Sequence, residues 1–407
     1  MTTTRFVGGD VVVDGALTRL DVLVADGRVV ALAAPTSAVV DGEVVDGEVV
    51  DGAVVDCAGA VVAPGFIDLQ CNGAGGIDIT STPERIADVS RVLTRFGVTA
   101  YLPTVVTAPA ATRARAIAAM ASSRAAGWEP GGGAAALGLH FEGPAISPSH
   151  VGAHPRDLVT VPDAAEIDEW VASGVVALVT AAPEVPGVLD MIGRLRRGGV
   201  RTSAGHTAMS PEEFGAARAA GVGHVTHLFN AMRSFSHRAP GPIGAVLADD
   251  DVTVGLICDG IHVDPTAVKM AWRALGPSRM SLVSDAAPPL GGAYGTYALG
   301  SLEVVYDESG VRTRDGVLAG SALALDEAVR NLIAFTGCSL LEAIESVTST
   351  PARVLGLTDR GRIAVGNRAD LTIIEPDGRL RATVVAGSVE WSARWSAAGD
   401  GTETTCS

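Results

Sequence analysis

Four residues able to do chemistry together are spread along the chain: Glu142 in LGLHFEGP, His206 in RTSAGHT, His227 in HVTHLFNAM and Asp285 in LVSDAAPP. One carboxylate and two imidazoles form a complete protein ligand set for a catalytic Zn²⁺ that keeps an open coordination position. An Asp beside such a set can accept a proton from water and hand it to a leaving amine. The chemistry indicated is therefore metal-assisted hydrolysis. Taken singly, each residue also has an ordinary reading, as a hydrogen-bonded structural His or Glu, or an Asp capping a turn. What sets them apart is that each closes an apolar run. Gln70 and Asn72 in PGFIDLQCNG do the same, and His262 in CDGIH follows another.

The elements that would position them are legible from periodicity. Short apolar runs fall near 61–68, 98–106, 135–142, 175–182, 200–206, 222–228, 252–258 and 280–285. Amphipathic stretches separate most of them: Glu84–Phe96, Ala110–Ala126, Pro186–Arg197, Pro211–Ala220 and Pro265–Leu275. Alternating strand and helix patterns, eight times over, predict an α/β fold of the (β/α)8 TIM-barrel type. A doubly wound sheet is the alternative, but no GxGxxG follows the first run. In a barrel, reactive groups gather where strands end, and six of these runs lead into such a group.

Residues 1–60 alternate Val-rich segments with Gly/Asp turns, and 358–395 alternate again, which predicts a small β-sandwich domain built from both chain termini. The barrel then spans 61–357, with a hairpin-like stretch after Asp285 and helices from Ala322 and Ser339, and 396–407 reads as a disordered tail. Between Val39 and Asp56 a VVDGE unit recurs imperfectly with six acidic and no basic residues. Its five-residue period is too short for a solenoid, so it reads as an expanded hairpin or surface loop.

Composition removes other classes. The net charge of −16 and a pI near 4.9 argue against nucleic acid and anionic membranes as partners. No run approaches the roughly 18 apolar residues of a membrane span, and the N-terminus lacks a leader's apolar stretch. Five Cys without paired spacing read as reduced thiols, and the expectation is a soluble cytoplasmic enzyme. Lys269 is the only lysine, against 29 Arg. No GxxxxGK[ST] phosphate loop exists, and a Schiff base or a carboxylated Lys bridging two metals would have to use Lys269, within a helical pattern. Anionic groups must be held by Arg, His or backbone N–H. No GxSxG occurs, and Cys71 and Cys258 lack an adjacent base. His224 lies three residues before His227, an odd offset that on a strand turns it to the opposite face, as a packing residue. His140 shares the face of Glu142 and reads equally as support for that ligand or as a buried hydrogen-bonded histidine.

PGFIDLQCNG, HFEGP, SAGHT, THLFNAM, DGIHVDP, LVSDA and LAGSAL occur in that order. Together they resemble the N-acetylglucosamine-6-phosphate deacetylase family of the amidohydrolase superfamily, over nearly the whole chain. The resemblance implies metal ligands at Glu142, His206 and His227, one divalent metal per subunit (Zn expected, with Fe, Co or Mn as alternatives) and acid–base catalysis by Asp285. It implies that His154 polarises the substrate carbonyl, with Ala153 beside it, and that Asn230 and Ala231 contact substrate. Arg238 and His262 would hold the sugar phosphate, and Leu318, Ala319 and Gly320 would line the sugar. A homodimer is implied, with one phosphate contact crossing between subunits. Two departures stand out. Gln70 and Asn72 replace the His-x-His by which many amidohydrolases bind a second metal, and amides are poor Zn²⁺ ligands. Ala145 stands where members often carry a larger residue, which would widen the acyl or sugar pocket. N-acetylgalactosamine 6-phosphate or another N-acyl substrate is the enzymatic alternative, and a metal-binding pseudoenzyme or sensor the other.

Overall fold

A computed structural model describes residues 3–35, 43–45, 48–50, 52–127 and 131–393. Eight parallel strands lie side by side in chain order: β1 (Phe66–Cys71), β2 (Val98–Val106), β3 (Leu139–Glu142), β4 (Val176–Ala181), β5 (Arg201–Ala204), β6 (His224–Val225), β7 (Thr253–Leu256) and β8 (Met280–Leu282). Each is followed by a helix: α1 (Ile86–Leu93), α2 (Ala110–Ala126), α3 (Ala164–Ser173), α4 (Val188–Arg197), α5 (Pro211–Ala220), α6 (Gly241–Ala248), α7 (Pro265–Leu275) and α8 (Leu325–Thr336). The two ends of the sheet come together just past β1 and β8. Cys71 and Ala286 form a parallel bridge there, and Asn72 N–H donates to Ala286 O at 2.7 Å. The predicted (β/α)8 barrel is thus present and nearly closed.

Local chemistry explains the helices. In α4, Val188, Met191, Ile192 and Leu195 are buried, the three-and-four spacing of one helical face turned to the sheet. Helix α5 opens on a capping box in which Ser210 and Glu213 satisfy each other's backbone N–H groups. Helix α3 begins at Asp163, whose carboxylate accepts from Glu166 N–H, and ends at Gly174 in the left-handed conformation.

The chain termini build two further sheets. One orders Arg28–Ala33, Asp21–Ala25, Thr3–Val7 and Gly52–Asp56; the other orders Ser388–Ser392, Leu380–Val385, Leu371–Ile374, Val61–Pro64, Asp10–Val13 and Ala16–Arg19. Phe6, Val22 and Val55 of the first pack in one core with Val11, Val62, Ile373 and Val384 of the second. Sheet faces against sheet, as a sandwich. The apolar run at 61–68 is therefore two strands: Val61–Pro64 pairs with Leu371–Ile374 in the terminal sheet, and the barrel begins only after Gly65. A continuous apolar run carries no mark of where one sheet ends and the next begins. Within the VVDGE repeat, Glu43–Val45 pairs antiparallel with Glu48–Val50 as a hairpin. The rest of that repeat's turns and the tail at 396–407 lie outside the described residues.

Between β8 and α8 an antiparallel sheet of three strands is inserted, Gly295–Leu299, Leu302–Asp307 and Gly310–Thr313. Its first turn is tied to the barrel by Gly300 N–H on Asp78 Oδ2 at 2.7 Å. Among the described residues, no helix is long and apolar enough to cross a membrane.

Candidate active site

Four strand exits converge on one buried cluster. Glu142 is the last residue of β3, whereas His206, His227 and Asp285 lie two or three residues beyond β5, β6 and β8. All three carry positive φ, of 50°, 27° and 48°. Such left-handed turns cost about 1–2 kcal/mol each for a non-glycine residue. Here they turn the side chains off strand parity and across the barrel mouth. Two glycines permit the close packing. A Cβ on Gly205 would lie 2.8 Å from Thr180 Cγ2, and one on Gly320 would lie 2.9 Å from Asp285 O.

Glu142 Oε1 is 2.8 Å from His227 Nε2 and 3.3 Å from His206 Nε2, and the two imidazole nitrogens are 3.2 Å apart. The three candidate ligand atoms all lie within 4.8 Å of one another, on buried residues. His206 Nδ1 sits 3.0 Å from His150 O. A carbonyl only accepts, so Nδ1 carries the proton and the Nε2 lone pair faces the cluster. Three electron-rich atoms around one point, in a buried place, fit a divalent cation. Electrostatics agree in direction at Glu142 and His206, whereas at His227 burial lowers the pKa but the Glu142 carboxylate raises it by more. Burial would raise the Glu142 carboxyl, but the N–H groups of His154 and His227 beside it hold it well below the usual range. Burial lowers His206 to about 4, the neutral state a metal ligand requires.

Asp285 is on the other side of an amide bridge. Gln70 Nε2 donates to Glu142 Oε1 and to Asp285 Oδ1, both at 2.9 Å, one N–H for each carboxylate. Asn72 Nδ2 also donates to Asp285 Oδ1, at 2.7 Å. Burial first, and then the Glu142 charge, push the Asp285 carboxyl up to about 6. Both amides thus serve as donors to the carboxylates. His154 Nε2 lies 3.6 Å from Glu142 Oε2. Thr107 N–H points at His154 Nδ1 from 3.3 Å, which makes Nδ1 the acceptor and leaves the proton on Nε2.

These groups open into a cavity of about 200 Å³. Asn72, Glu142, Ala153, His154, His206, His227, Asn230, Ala231, His262, Asp285, Leu318, Ala319 and Gly320, all singled out from sequence, line it. His262 is oriented by Asp259, with Nδ1 2.6 Å from Oδ2. Gln70 acts from behind the lining. Arg238 is exposed and outside it. Thr107, which sets the His154 tautomer, is absent from the sequence-derived set although it directly follows β2, where the strand-exit rule would have found it. Gly300, Ser301 and Leu302 also line the cavity. They come from the inserted sheet, which no periodicity announces.

Two sequence expectations are corrected. Ala145 does not widen the pocket: it is packed in the barrel core. His224 does not face away from the barrel interior. Its Nδ1 is 3.1 Å from Thr253 Oγ1, and its Nε2 is 3.3 Å from where a Gly255 Cβ would stand. The parity count failed because strand β6 ends at Val225 and His227 is left-handed. His140, read from sequence in two ways, is a buried histidine hydrogen-bonded to Thr104 and Thr180. The exclusion of cysteine nucleophiles has a physical basis, since burial pushes the Cys71 and Cys258 thiols up.

The amidohydrolase family profile matches residues 61–389. The N-acetylglucosamine-6-phosphate deacetylase of Bacillus subtilis is 34% identical over 336 residues, 82% of this chain and 85% of that one. The chain is an N-acetylglucosamine-6-phosphate deacetylase-family amidohydrolase. The N-acetylgalactosamine-6-phosphate deacetylase of Escherichia coli O157:H7 is 35% identical over 319 residues, covering 77% of this chain and 84% of that one. A mutant N-acetyl-D-glucosamine-6-phosphate deacetylase of Mycobacterium smegmatis, solved in complex with N-acetyl-D-glucosamine-6-phosphate, superposes with a TM-score of 0.84. It has 31% identity over 96% of this chain and 100% of that one. As an amidohydrolase, this chain joins a buried His/His/Glu candidate ligand set to an Asp held by two amides.

Proposed function

We propose that this amidohydrolase hydrolyses the acetamide of N-acetyl-D-glucosamine 6-phosphate, releasing acetate and D-glucosamine 6-phosphate. The observation that carries the reading is the amide bridge of Gln70, which sets Asp285 against the ligand cluster at the floor of a cavity of substrate size. Glu142, His206 and His227 would hold one divalent cation, Zn²⁺ first. When bound, the ion supplies Lewis acidity toward the amide carbonyl and lowers the pKa of water. The chain's own residues do the rest. Asp285, as the carboxylate, takes the proton of the attacking water and delivers it to the departing amine nitrogen. Asn72 and Gln70 both donate to Asp285 Oδ1, which fixes the carboxylate and leaves Oδ2 to take the proton. His154, with its proton on Nε2, donates to the carbonyl oxygen as negative charge develops there. Asn230, Ala231, Ala153 and the segment Leu318–Gly320 bound the sugar. His262 and Arg238 hold the phosphate; with Arg238 outside its own cavity, a homodimer in which one phosphate contact crosses subunits fits the exposed guanidinium. A cytoplasmic location suits a phosphorylated substrate.

N-acetylgalactosamine 6-phosphate is the second reading, because a deacetylase for that epimer is as similar as those for the gluco sugar. Turnover on the two epimers at matched concentrations tests the choice: the proposal expects higher kcat/KM on the gluco epimer, and the reverse order would overturn it. A pseudoenzyme or sensor would bind Zn²⁺ without releasing acetate; an intact and oriented Asp285 speaks against it.

A further inference from the structure

Barrel interiors are usually filled by Val, Ile and Leu. Directly beneath the ligand cluster this one carries a line of buried polar groups. Thr104 Oγ1 on β2 is 3.2 Å from His140 Nδ1 on β3, and His140 Nε2 is 2.8 Å from Thr180 Oγ1 on β4. Thr180 Oγ1 is 2.7 Å from Thr226 Oγ1, just past β6, which is 2.6 Å from Ser203 Oγ on β5. The sheet places β5 between β4 and β6, so the Thr180–Thr226 bond runs through the interior.

Donor counting gives the line one direction. Thr104 Oγ1 is 3.1 Å from the Leu102 carbonyl and donates its proton there. His140 Nδ1–H must then be the donor to Thr104, leaving Nε2 as acceptor. Thr180 donates to His140, Thr226 to Thr180, and Ser203, wholly buried, to Thr226. Every hydroxyl proton and the single imidazole proton is used.

We infer that this hydroxyl–imidazole chain, which runs through His140, positions the metal ligands. The statement rests on reading Glu142, His206 and His227 as those ligands. The chain joins the three strands that deliver them: His140 is two residues before Glu142, Thr226 immediately precedes His227, and Ser203 is three residues before His206. Two of those ligands stand in left-handed backbone that would relax if left unheld. Gly205 lets the β5 exit close onto Thr180 and Thr226 without a Cβ between them. Desolvating five polar side chains is costly unless each is satisfied, and a fully satisfied chain fixes strand register at each member.

The test measures Zn²⁺ affinity by competition with a chromophoric chelator and the visible spectrum of the Co²⁺-loaded protein. Thr180→Val keeps side-chain shape, removes a hydroxyl that bonds to no ligand and breaks the chain at its centre. It should weaken Zn²⁺ binding by about 10- to 100-fold, alter the Co²⁺ bands, and at saturating metal lower kcat while KM stays. Thr180→Ser restores the hydroxyl and should restore all three. His140→Leu should reproduce the loss. If wild type binds Zn²⁺ and Thr180→Val binds it equally, with the same Co²⁺ spectrum, the positioning role is overturned, whatever happens to thermal stability. If wild type itself binds neither ion, the metal reading fails, and this inference with it.

Discussion

Asp285 concentrates the chemistry at the scale of the residue. In its proposed role of general base it must be ionised, so activity should be present above its folded pKa and lost as pH falls through it. Burial and Glu142 push that pKa up to about 6, and a cation on Glu142 would offset the second cause. The acid limb of the kcat/KM profile should therefore lie at or below pH 6, and Asp285→Asn should abolish it. The same substitution should lower kcat by about 10²- to 10⁴-fold while bound Zn²⁺, measured by atomic absorption, stays the same. Arg238→Ala should raise KM for the sugar phosphate far more than for its unphosphorylated analogue; equal effects would remove Arg238 from phosphate recognition. Ala231 stands at φ 49° without being a candidate metal ligand. Ala231→Gly should relieve that conformation and raise stability by about 1 kcal/mol, seen as a higher midpoint in thermal unfolding.

Elements hold these residues in place, and much of that was readable. Ala110–Ala126, Pro211–Ala220 and Pro265–Leu275 form helices over the residues their periodicity and flanking Pro or Gly mark. Other elements could not be read so directly. The division at Gly65, the left-handed exits that defeat parity at His224 and His227, and the inserted strands at 295–313 are set by tertiary packing, not by local pattern. Helix-to-helix contacts are likewise invisible in sequence. Arg113 of α2 is almost fully buried, paired at 2.5 Å with Glu166 of α3 and stacked on Trp170. Arg113→Ala leaves that carboxylate partly buried and alone, and should cost about 3 kcal/mol in urea unfolding. Zn²⁺ affinity should not change, because the pair lies on the outer helix ring.

Across the whole molecule, the gathering of Glu142, His206, His227 and Asp285 was legible because a barrel collects strand exits at one mouth. Their supports were not. Gln70 can be read as a missing metal ligand from sequence, but only the folded barrel makes it a bridge between Glu142 and Asp285. The single lysine keeps its meaning at this scale: Lys269 is half-buried on α7, away from the cavity, so Lys269→Arg should leave turnover and stability unchanged. The central claim is that one metal on Glu142, His206 and His227, with Asp285, cleaves the acetamide of an amino sugar phosphate. The most direct measurement is acetate release from N-acetyl-D-glucosamine 6-phosphate by chelated protein and by the same protein after one equivalent of Zn²⁺. The account predicts no release from the chelated sample and full recovery at one ion per chain. Equal release with and without metal, or none after restoration, would contradict it.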